Sequence, residues 1–274
     1  MTSPAEFEHV VDCREAARVA RADAVARGSI ERVFWCYPTK HGFALEADPQ
    51  VHGVRPGNLA LTTLAAGGVW VLGEAAEPRY PQRWGISRPF GSPSPTPGRI
   101  SDGLLYAAFA SPLLPLALTR TPERWADALV VADALVVTGG ATQGAKALFS
   151  RVRPYAYAAS EGTWTPEELQ PFLGDLPTAD AHHSFWSGHT SMVGAATGSL
   201  SGLCLQAVRG PCAERPWMKV ASVGSAAVLT GGQGALRVTT GKHYATDVLV
   251  GGGVGLLTGY TSALLWNHTK ARSR

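Results

Sequence analysis

The chain has 274 residues, which is enough for one large domain or two small ones with a sizeable core. Charged residues make up only 16 % of it, against roughly 25 % in ordinary soluble domains. The mean hydropathy of +0.02 is nevertheless low for a protein that crosses a membrane many times. The net charge of +3, with no long basic run, gives no support to nucleic acid as a partner.

Residues 1–55 are predicted to form an N-terminal region of their own. Residues 5–32 are rich in alanine and arginine in an amphipathic pattern, which predicts a helix, and three prolines make residues 36–58 irregular by prediction. Charged residues run through the start of the chain without an apolar core, so no cleavable signal peptide is expected. We predict no function for this region.

Six stretches that are nearly free of charge follow, in a predicted helical domain at 56–266 that precedes a basic tail at 267–274. They are Leu59–Ala76, Gly103–Thr119, Ala128–Ala145, Gly188–Val208, Val220–Leu236 and Val248–Trp266. A membrane-spanning helix needs about 20 largely apolar residues, and the small residues that are frequent here allow such helices to pack closely. The pattern predicts six membrane-spanning helices, and a soluble bundle of buried helices is the alternative.

The connectors between these stretches predict how they are oriented. Residues 77–102 and 154–186 contain several prolines each and are predicted to be long loops. If all six stretches span, 15 of the 24 lysines and arginines lie on the side of both termini, and nine lie on the other side. Because the cytoplasmic side carries the excess, we expect a multi-pass protein of the cell inner membrane with both termini in the cytoplasm.

The four cysteines do not form a metal-binding C-x-x-C pair. Cys204 and Cys212 flank a short Arg-Gly-Pro segment and could be bridged on an oxidising face of the membrane. Two free thiols are the interpretation that the sequence favours.

Three clusters of polar residues are predicted on the extracytoplasmic side, opposite to the termini. The first contains Lys146 and Arg153, which Pro154 follows. A spacing of seven is two helical turns, so both cations are predicted on one face of a helix that ends at Pro154. Two cations with one target suit a multiply charged oxyanion, although a positive helix flank explains this cluster when it is taken alone.

The second cluster is Ser187-Gly188-His189, directly before the fourth apolar stretch. Ser187 is predicted to be the N-cap of a helix, and Gly188 lets the backbone approach a ligand closely. Amides at a helix N-terminus bind anions, and a histidine held there can protonate a leaving oxygen. Taken alone, the cluster is also explained by a plain helix cap.

The third cluster contains Arg237, His243 and Asp247, at the start of the last apolar stretch. His243 and Asp247 are four residues apart and therefore adjacent on a helix. A carboxylate beside an imidazole fixes its tautomer and leaves the other ring nitrogen free to act as a nucleophile. Taken alone, such a pair is often only a surface contact.

Together and in this order, Lys-x6-Arg-Pro, Ser-Gly-His and Arg-x5-His-x3-Asp resemble the three-part signature of the type 2 phosphatidic acid phosphatase and vanadium haloperoxidase superfamily. The resemblance spans residues 146–247, and the layout of apolar stretches extends it to roughly 59–266. It implies an all-α fold, a six-helix transmembrane bundle of the membrane lipid phosphatase branch, with the site at one end.

The resemblance also implies a metal-independent hydrolysis of a phosphomonoester or pyrophosphate through a phosphohistidine. His243 would attack phosphorus, Asp247 would orient it, and His189 would protonate the leaving group. The phosphoryl oxygens would be held by Lys146, Arg153, Ser187, Gly188 and Arg237. No metal or other cofactor is expected, since three fixed cations would neutralise the charge of the transition state.

Two positions depart from the family pattern. Trp186 stands where proline usually precedes Ser-Gly-His and is expected to narrow the pocket, and Leu236 stands where a serine usually precedes the arginine. Neither residue supplies the nucleophile, the acid or a cation, so we expect activity to survive. His182 and His183 precede the second cluster and are expected to be solvent-exposed loop residues.

Three other functions are compatible with these motifs. The basic pocket of a haloperoxidase would hold vanadate with His243 as its axial ligand, a soluble acid phosphatase would need an export signal, and a membrane scaffold would keep only a vestigial site. A site at the membrane surface favours lipid phosphates or diphosphates as substrates, such as phosphatidic acid, phosphatidylglycerophosphate or a polyprenyl diphosphate. The residues do not choose among head groups, and they predict no oligomeric state.

Overall fold

The computed structural model divides the chain into two compact units, residues 1–55 with 266–274 and residues 56–265. The structure describes residues 34–39, 42–47, 64–72, 95–118, 124–207 and 210–272. The helix predicted over 5–32 lies outside these residues.

The first unit contains an antiparallel hairpin where an irregular segment was expected. Strand β1 (Phe34–Thr39) pairs with β2 (Gly42–Ala47), in a register that places Pro38 opposite Phe43. The prediction failed because proline was taken as a chain breaker. In a two-stranded sheet both strands are edges, and an edge strand accommodates proline, which has no N–H to donate.

The described part of the second unit is all-α, as predicted, and every one of the six predicted stretches contains helix. In chain order the helices are α1 (64–72), α2 (Pro95–Ala110), α3 (Leu113–Leu118), α4 (Arg124–Phe149), α5 (Pro154–Glu161), α6 (Pro166–Leu169), α7 (Gly188–Gln206), α8 (Pro211–Glu214), α9 (Pro216–Thr239) and α10 (Ala245–Arg272). Two 3₁₀ turns, Gln170–Phe172 and Ala179–His182, follow α6.

Prolines begin helices where the sequence led us to expect loops. Helix α2 starts at Pro95, inside the predicted loop 77–102, and α5 and α6 start at Pro154 and Pro166, inside the predicted loop 154–186. The first turn of a helix needs no N–H from its first residue, and the fixed φ of proline suits that position. Segment 154–183 therefore has a small core of its own, in which Tyr155 stacks on Phe172 with ring centroids 4.6 Å apart.

The helices of the second unit pack through small residues. Helix α10 presents Gly251, Gly255 and Gly259 to α7, where an added Cβ at any of them would overlap backbone of Ser187, Ser191 or Ala195. Such spacing of small residues brings two helix backbones into contact, and it is common where helices pack within a membrane.

Large apolar side chains face outward from the same helices. Trp217, Val220 and Val228 of α9 are 63 %, 75 % and 73 % exposed, and Leu249 and Leu257 of α10 are 73 % and 66 % exposed. Among the described residues, α4 and the Ala245–Leu265 part of α10 are long and apolar enough to cross a membrane. The other predicted spans are helical in their described parts but do not meet that combined criterion of length and hydropathy.

A disulfide joins Cys204 near the end of α7 to Cys212 in α8, with the Cα atoms 5.3 Å apart. The preference for free thiols was therefore wrong for this pair. The short helix α8 folds the chain back after α7 and brings the second sulfur to the first, which residue spacing alone does not reveal.

Candidate active site

His243 lies in the turn between α9 and α10 and is only 2 % exposed. The turn contains Gly241 at φ 68°, a conformation that residues with a Cβ rarely adopt. Nδ1 of His243 lies 2.8 Å from the carbonyl oxygen of Ser184. Because a carbonyl can only accept, Nδ1 carries the proton of the neutral imidazole, and Nε2 keeps its lone pair.

Asp247 lies in the first turn of α10 and is completely buried, but it is not the direct partner of His243. Its Oδ2 is 3.6 Å from Nδ1 of His243, beyond a normal hydrogen bond. Oδ2 instead accepts from the hydroxyl of Ser184 at 2.6 Å and the amide of Tyr244 at 2.9 Å, and Oδ1 pairs with Arg151. In this arrangement Asp247 orients His243 through Ser184 and the backbone of the turn.

Arg151 completes this buried network and was not singled out from the sequence. Its side chain has no exposed surface, donates to Thr246 Oγ1 at 2.9 Å, and places Cζ 4.2 Å from the ring centroid of Tyr244. Its carbonyl accepts the amide of Ser184 at 3.0 Å. Arg151 therefore holds both Asp247 and Ser184, the two residues closest to Nδ1 of His243.

Lys146 and Arg153 do not share one helix, contrary to the prediction. Helix α4 ends at Phe149, Ser150 takes φ 41°, and Arg153 is the extended N-cap of α5. The chain leaves the helix four residues earlier than Pro154 suggested, so that residues 151–153 can pair with 181–184. Arg153 is buried, with Nη2 2.5 Å from Asp180 Oδ1 and Nε 2.7 Å from the Asp180 carbonyl.

The second cluster forms the N-terminus of α7. Ser187 is its N-cap, as predicted, and its hydroxyl accepts from the amide of Thr190. A Cβ added to Gly188 would lie 3.9 Å from Nζ of Lys146, so the ammonium group stands beside this helix end. His189 follows in the first turn, with Nε2 3.0 Å from Oδ1 of Asp102 in α2.

Arg237 approaches the same region from the last turn of α9 and is buried. Its Nη1 lies 3.5 Å from the hydroxyl of Ser101 and 3.7 Å from Oδ1 of Asp102. Leu236, which stands where the family usually has a serine, is half-buried, and Ser101 of α2 places a hydroxyl beside the guanidinium of Arg237 instead.

Among the buried donors without a hydrogen-bond partner in the described residues are Nη1 of Arg153 and Nε of Arg237. Burial lowers the pKa of His243 well below its ordinary value, and the positive charges of Arg153, Arg237 and Lys146 lower it further. The group is therefore a neutral base surrounded by cations. Such a site attracts an anion, offers its oxygens unused N–H groups, and places a nucleophilic nitrogen among them.

The residues before Ser187 pack into the wall of the site. The indole N–H of Trp186 donates to Thr142 of α4 at 2.9 Å, and its Cδ1 would lie 3.4 Å from a Cβ added to Gly251 of α10. His183 is buried and His182 is half-buried, so neither is the exposed loop residue that was expected.

The family comparison agrees with the arrangement of these motifs. A family model described as the PAP2 superfamily matches residues 127–271, more than half of the chain. The chain belongs to this superfamily, which confirms the resemblance drawn from the three clusters. Its members are phosphatases, so membership supports hydrolase activity. Neither the curated proteins nor the solved structures yield a match.

Proposed function

We propose that this protein is a phosphatase that hydrolyses a phosphomonoester or diphosphate through a phosphohistidine at His243. The observation that carries the proposal is the buried Nδ1 of His243 held at 2.8 Å from a carbonyl, with the charges of Lys146, Arg153 and Arg237 acting on the same ring. This geometry favours Nε2 as the nucleophile.

The first step forms one bond and breaks another. The lone pair of His243 Nε2 attacks phosphorus, and the bond from phosphorus to the leaving oxygen breaks. His189 gives its proton to that oxygen, so the alcohol or phosphate departs in its protonated form. The ring of His243 becomes a phosphorylated imidazolium whose Nδ1–H still donates to the Ser184 carbonyl.

The second step restores the enzyme. His189, now neutral, takes a proton from water, whose oxygen attacks phosphorus and displaces Nε2 of His243. Inorganic phosphate leaves, and both histidines regain their starting protonation states. The same residue thus serves as acid and then as base, as microscopic reversibility requires.

The cations supply the electrostatic part of this catalysis. Nη1 of Arg153 and Nε of Arg237 are buried donors available to phosphoryl oxygens, and Lys146 stands beside the amides of Gly188 at the start of α7. Fixed donors aimed at developing charge do the work that a metal ion does in other phosphatases. We therefore propose a metal-independent reaction.

The proposed substrates are lipid phosphates or diphosphates, and the proposed location is the inner membrane. Exposed apolar side chains on α9 and α10, and two helices with the composition of membrane spans, support a membrane setting. The excess of lysine and arginine on the side of the termini favours a multi-pass topology with the site on the extracytoplasmic side. Lipid head groups would then reach the site from the membrane surface.

The test is phosphate release by detergent-purified protein in EDTA, across lipid and water-soluble phosphates. We expect release by the wild type and by His182→Ala, which removes a half-buried histidine without a proposed role, and none by His243→Ala. An alkaline quench should trap labelled phosphate on the wild type only. Equal turnover by His243→Ala, with the protein folded, would refute the proposal.

A further inference from the structure

The carboxylate of Asp102, which lies outside the three motifs, is hydrogen-bonded to His189, the proposed general acid. Asp102 lies in α2, 87 residues before His189, and its Oδ1 is 3.0 Å from Nε2 of that histidine. Helix α2 precedes the part of the chain that the family model matches, which starts at residue 127. The contact therefore adds a residue to the site that the family resemblance does not assign.

The position of Asp102 is fixed by its neighbour in α2. Nε2 of Gln233 in α9 donates to the carbonyl oxygen and the hydroxyl of Ser101, at 3.1 Å and 2.9 Å. Ser101 and Gln233 are both completely buried, so this link is shielded from water. Gln233 lies one helical turn before Arg237. Its hydrogen bonds to Ser101 therefore hold Asp102, the next residue of α2, close to Arg237 along the axis of α9.

Two cationic groups compete for the carboxylate, and the distances favour the histidine. Oδ1 of Asp102 lies 3.0 Å from His189 Nε2 but 3.7 Å from Arg237 Nη1. The first separation is a hydrogen bond and the second is a looser ionic contact. Asp102 is 51 % exposed and His189 is 24 % exposed, so the pair stands at the open edge of the site.

We propose that Asp102 is a positioning residue that holds the proton of His189 for the leaving group. This inference rests on the phosphatase proposed above. The carboxylate accepts from Nε2 and favours the imidazolium form of His189, against burial and the charges of Arg237 and Lys146, which oppose it. The charge of His189 in turn acts on His243 and helps to lower the pKa of that ring.

Only His189 exchanges protons in this scheme, and Asp102 serves as a hydrogen-bond acceptor throughout. When Nε2 donates to Asp102, the Nδ1 proton of the imidazolium is the one available to the leaving oxygen. After that transfer His189 is neutral, still bound to Asp102 through Nε2, and its Nδ1 can take the proton of the attacking water. Asp102 thus fixes which nitrogen exchanges protons in both steps.

The test compares substrates whose leaving groups differ in their need for a proton. For Asp102→Asn we expect kcat to fall about 10- to 100-fold on a short-chain phosphatidic acid, whose alcohol leaves poorly without protonation. On p-nitrophenyl phosphate, whose leaving group needs no acid, we expect a change of less than about threefold. The basic limb of the pH profile should move to lower pH, and Asp102→Glu should recover part of the activity.

Asp175→Asn is the matched control, because it removes a carboxylate paired with Lys242 at 3.1 Å that has no contact with His189. It should leave the ratio between the two substrates unchanged. Equal losses on both substrates, or a lower KM with unchanged kcat, would overturn the inference and identify Asp102 as a structural residue or a competing counter-ion. If the wild type itself releases no phosphate, the proposed function fails instead, so the two failures are distinguishable.

Discussion

Nδ1 of His243 lies 2.8 Å from the carbonyl of Ser184, whereas the carboxylate of Asp247 lies 3.6 Å away and is bound to Arg151 and to the Ser184 hydroxyl. The imidazole thus donates to a neutral carbonyl, and the charged carboxylate of Asp247 contacts Ser184 rather than the ring. A neutral acceptor fixes the tautomer without favouring protonation of the ring. This arrangement suits a group that must act as a nucleophile rather than as a proton carrier.

The acid limb of the activity profile should reflect His243. Its pKa is lowered by burial and by Arg153, Arg237 and Lys146, so the ring stays neutral below its ordinary value of 6.5. We expect the acid limb of kcat/KM, which reports groups of the free enzyme, to have its midpoint below pH 6.5. A midpoint above that value, assigned to His243 by NMR, would contradict the structure.

Folding stability should depend on the same group with a definite sign. In the unfolded chain His243 takes up a proton near pH 6.5, while in the folded protein it does not until a much lower pH. The free energy of unfolding should therefore fall as pH drops below 6.5 and level off once the folded group also protonates. Thermal unfolding of His243→Asn in detergent, measured beside the wild type, should show a shallower loss over this range.

Removing Arg151 should destabilise the protein more than removing an exposed arginine. Arg151→Met leaves the Asp247 carboxylate buried with only its neutral donors, and loss of one partner of a buried pair costs about 3–5 kcal/mol. The exposed Arg215→Met should change stability by less than about 0.5 kcal/mol. If thermal unfolding in detergent ranked the two variants equally, the buried pair would not be the anchor of the turn.

Substitution of Gly241 and of Gly162 by alanine separates the cost of a positive φ from the cost of steric overlap. Both have positive φ, 68° and 63°, but a Cβ at Gly241 would lie 2.5 Å from the ring of Trp164, and one at Gly162 would meet nothing within 4 Å. Gly162→Ala should cost about 1–2 kcal/mol of unfolding free energy from conformation alone. Gly241→Ala should cost more and should also lower kcat, because it displaces the turn that carries His243. If the two substitutions lowered stability and activity to the same extent, Trp164 would be shown to move aside freely.

The disulfide provides a test of membrane orientation. Helix α7 has 19 residues and is about 28 Å long at 1.5 Å per residue, so Cys204 and His189 lie near opposite ends. If the site is extracytoplasmic, as proposed, the Cys204–Cys212 bridge faces the reducing cytoplasm, where both sulfurs should be reduced to thiols and react with a permeable maleimide in intact cells, in a background lacking Cys13 and Cys36. Protection that ends only after reduction would instead place the bridge outside and turn the active site toward the cytoplasm.

The sequence was sufficient to predict the parts of the site that follow from local rules. Ser187 as N-cap and the all-α second unit required only capping chemistry and runs of apolar residues. The proline-rich segments were harder, because proline both breaks a helix and begins one. Helices begin at Pro95, Pro154 and Pro166. Whether a proline begins or breaks a helix depends on its surroundings in the folded chain.

The residues that sequence reasoning missed are joined across long separations. Arg151 meets Asp247 96 residues later, and Asp102 meets His189 87 residues later. Neither pairing leaves a periodic trace in the chain, and nothing in the sequence singled out Arg151 between Lys146 and Arg153. The sequence does not show that Arg151 is buried. Only its exposure in the structure separates it from an ordinary basic residue at the end of a helix.

The glycine contact between α7 and α10 limits how the site can open. Because Gly251, Gly255 and Gly259 place backbone directly on backbone, these two helices could slide past each other only if the backbone itself moved. His189 lies in the first turn of α7, and His243 directly precedes α10. This pair of helices therefore holds the acid and the nucleophile at a fixed separation. A bulky substrate would then be admitted by movement of the parts packed around these two helices rather than by a shift between them, and the exposed pair of Asp102 and His189 marks the side on which the site is already open.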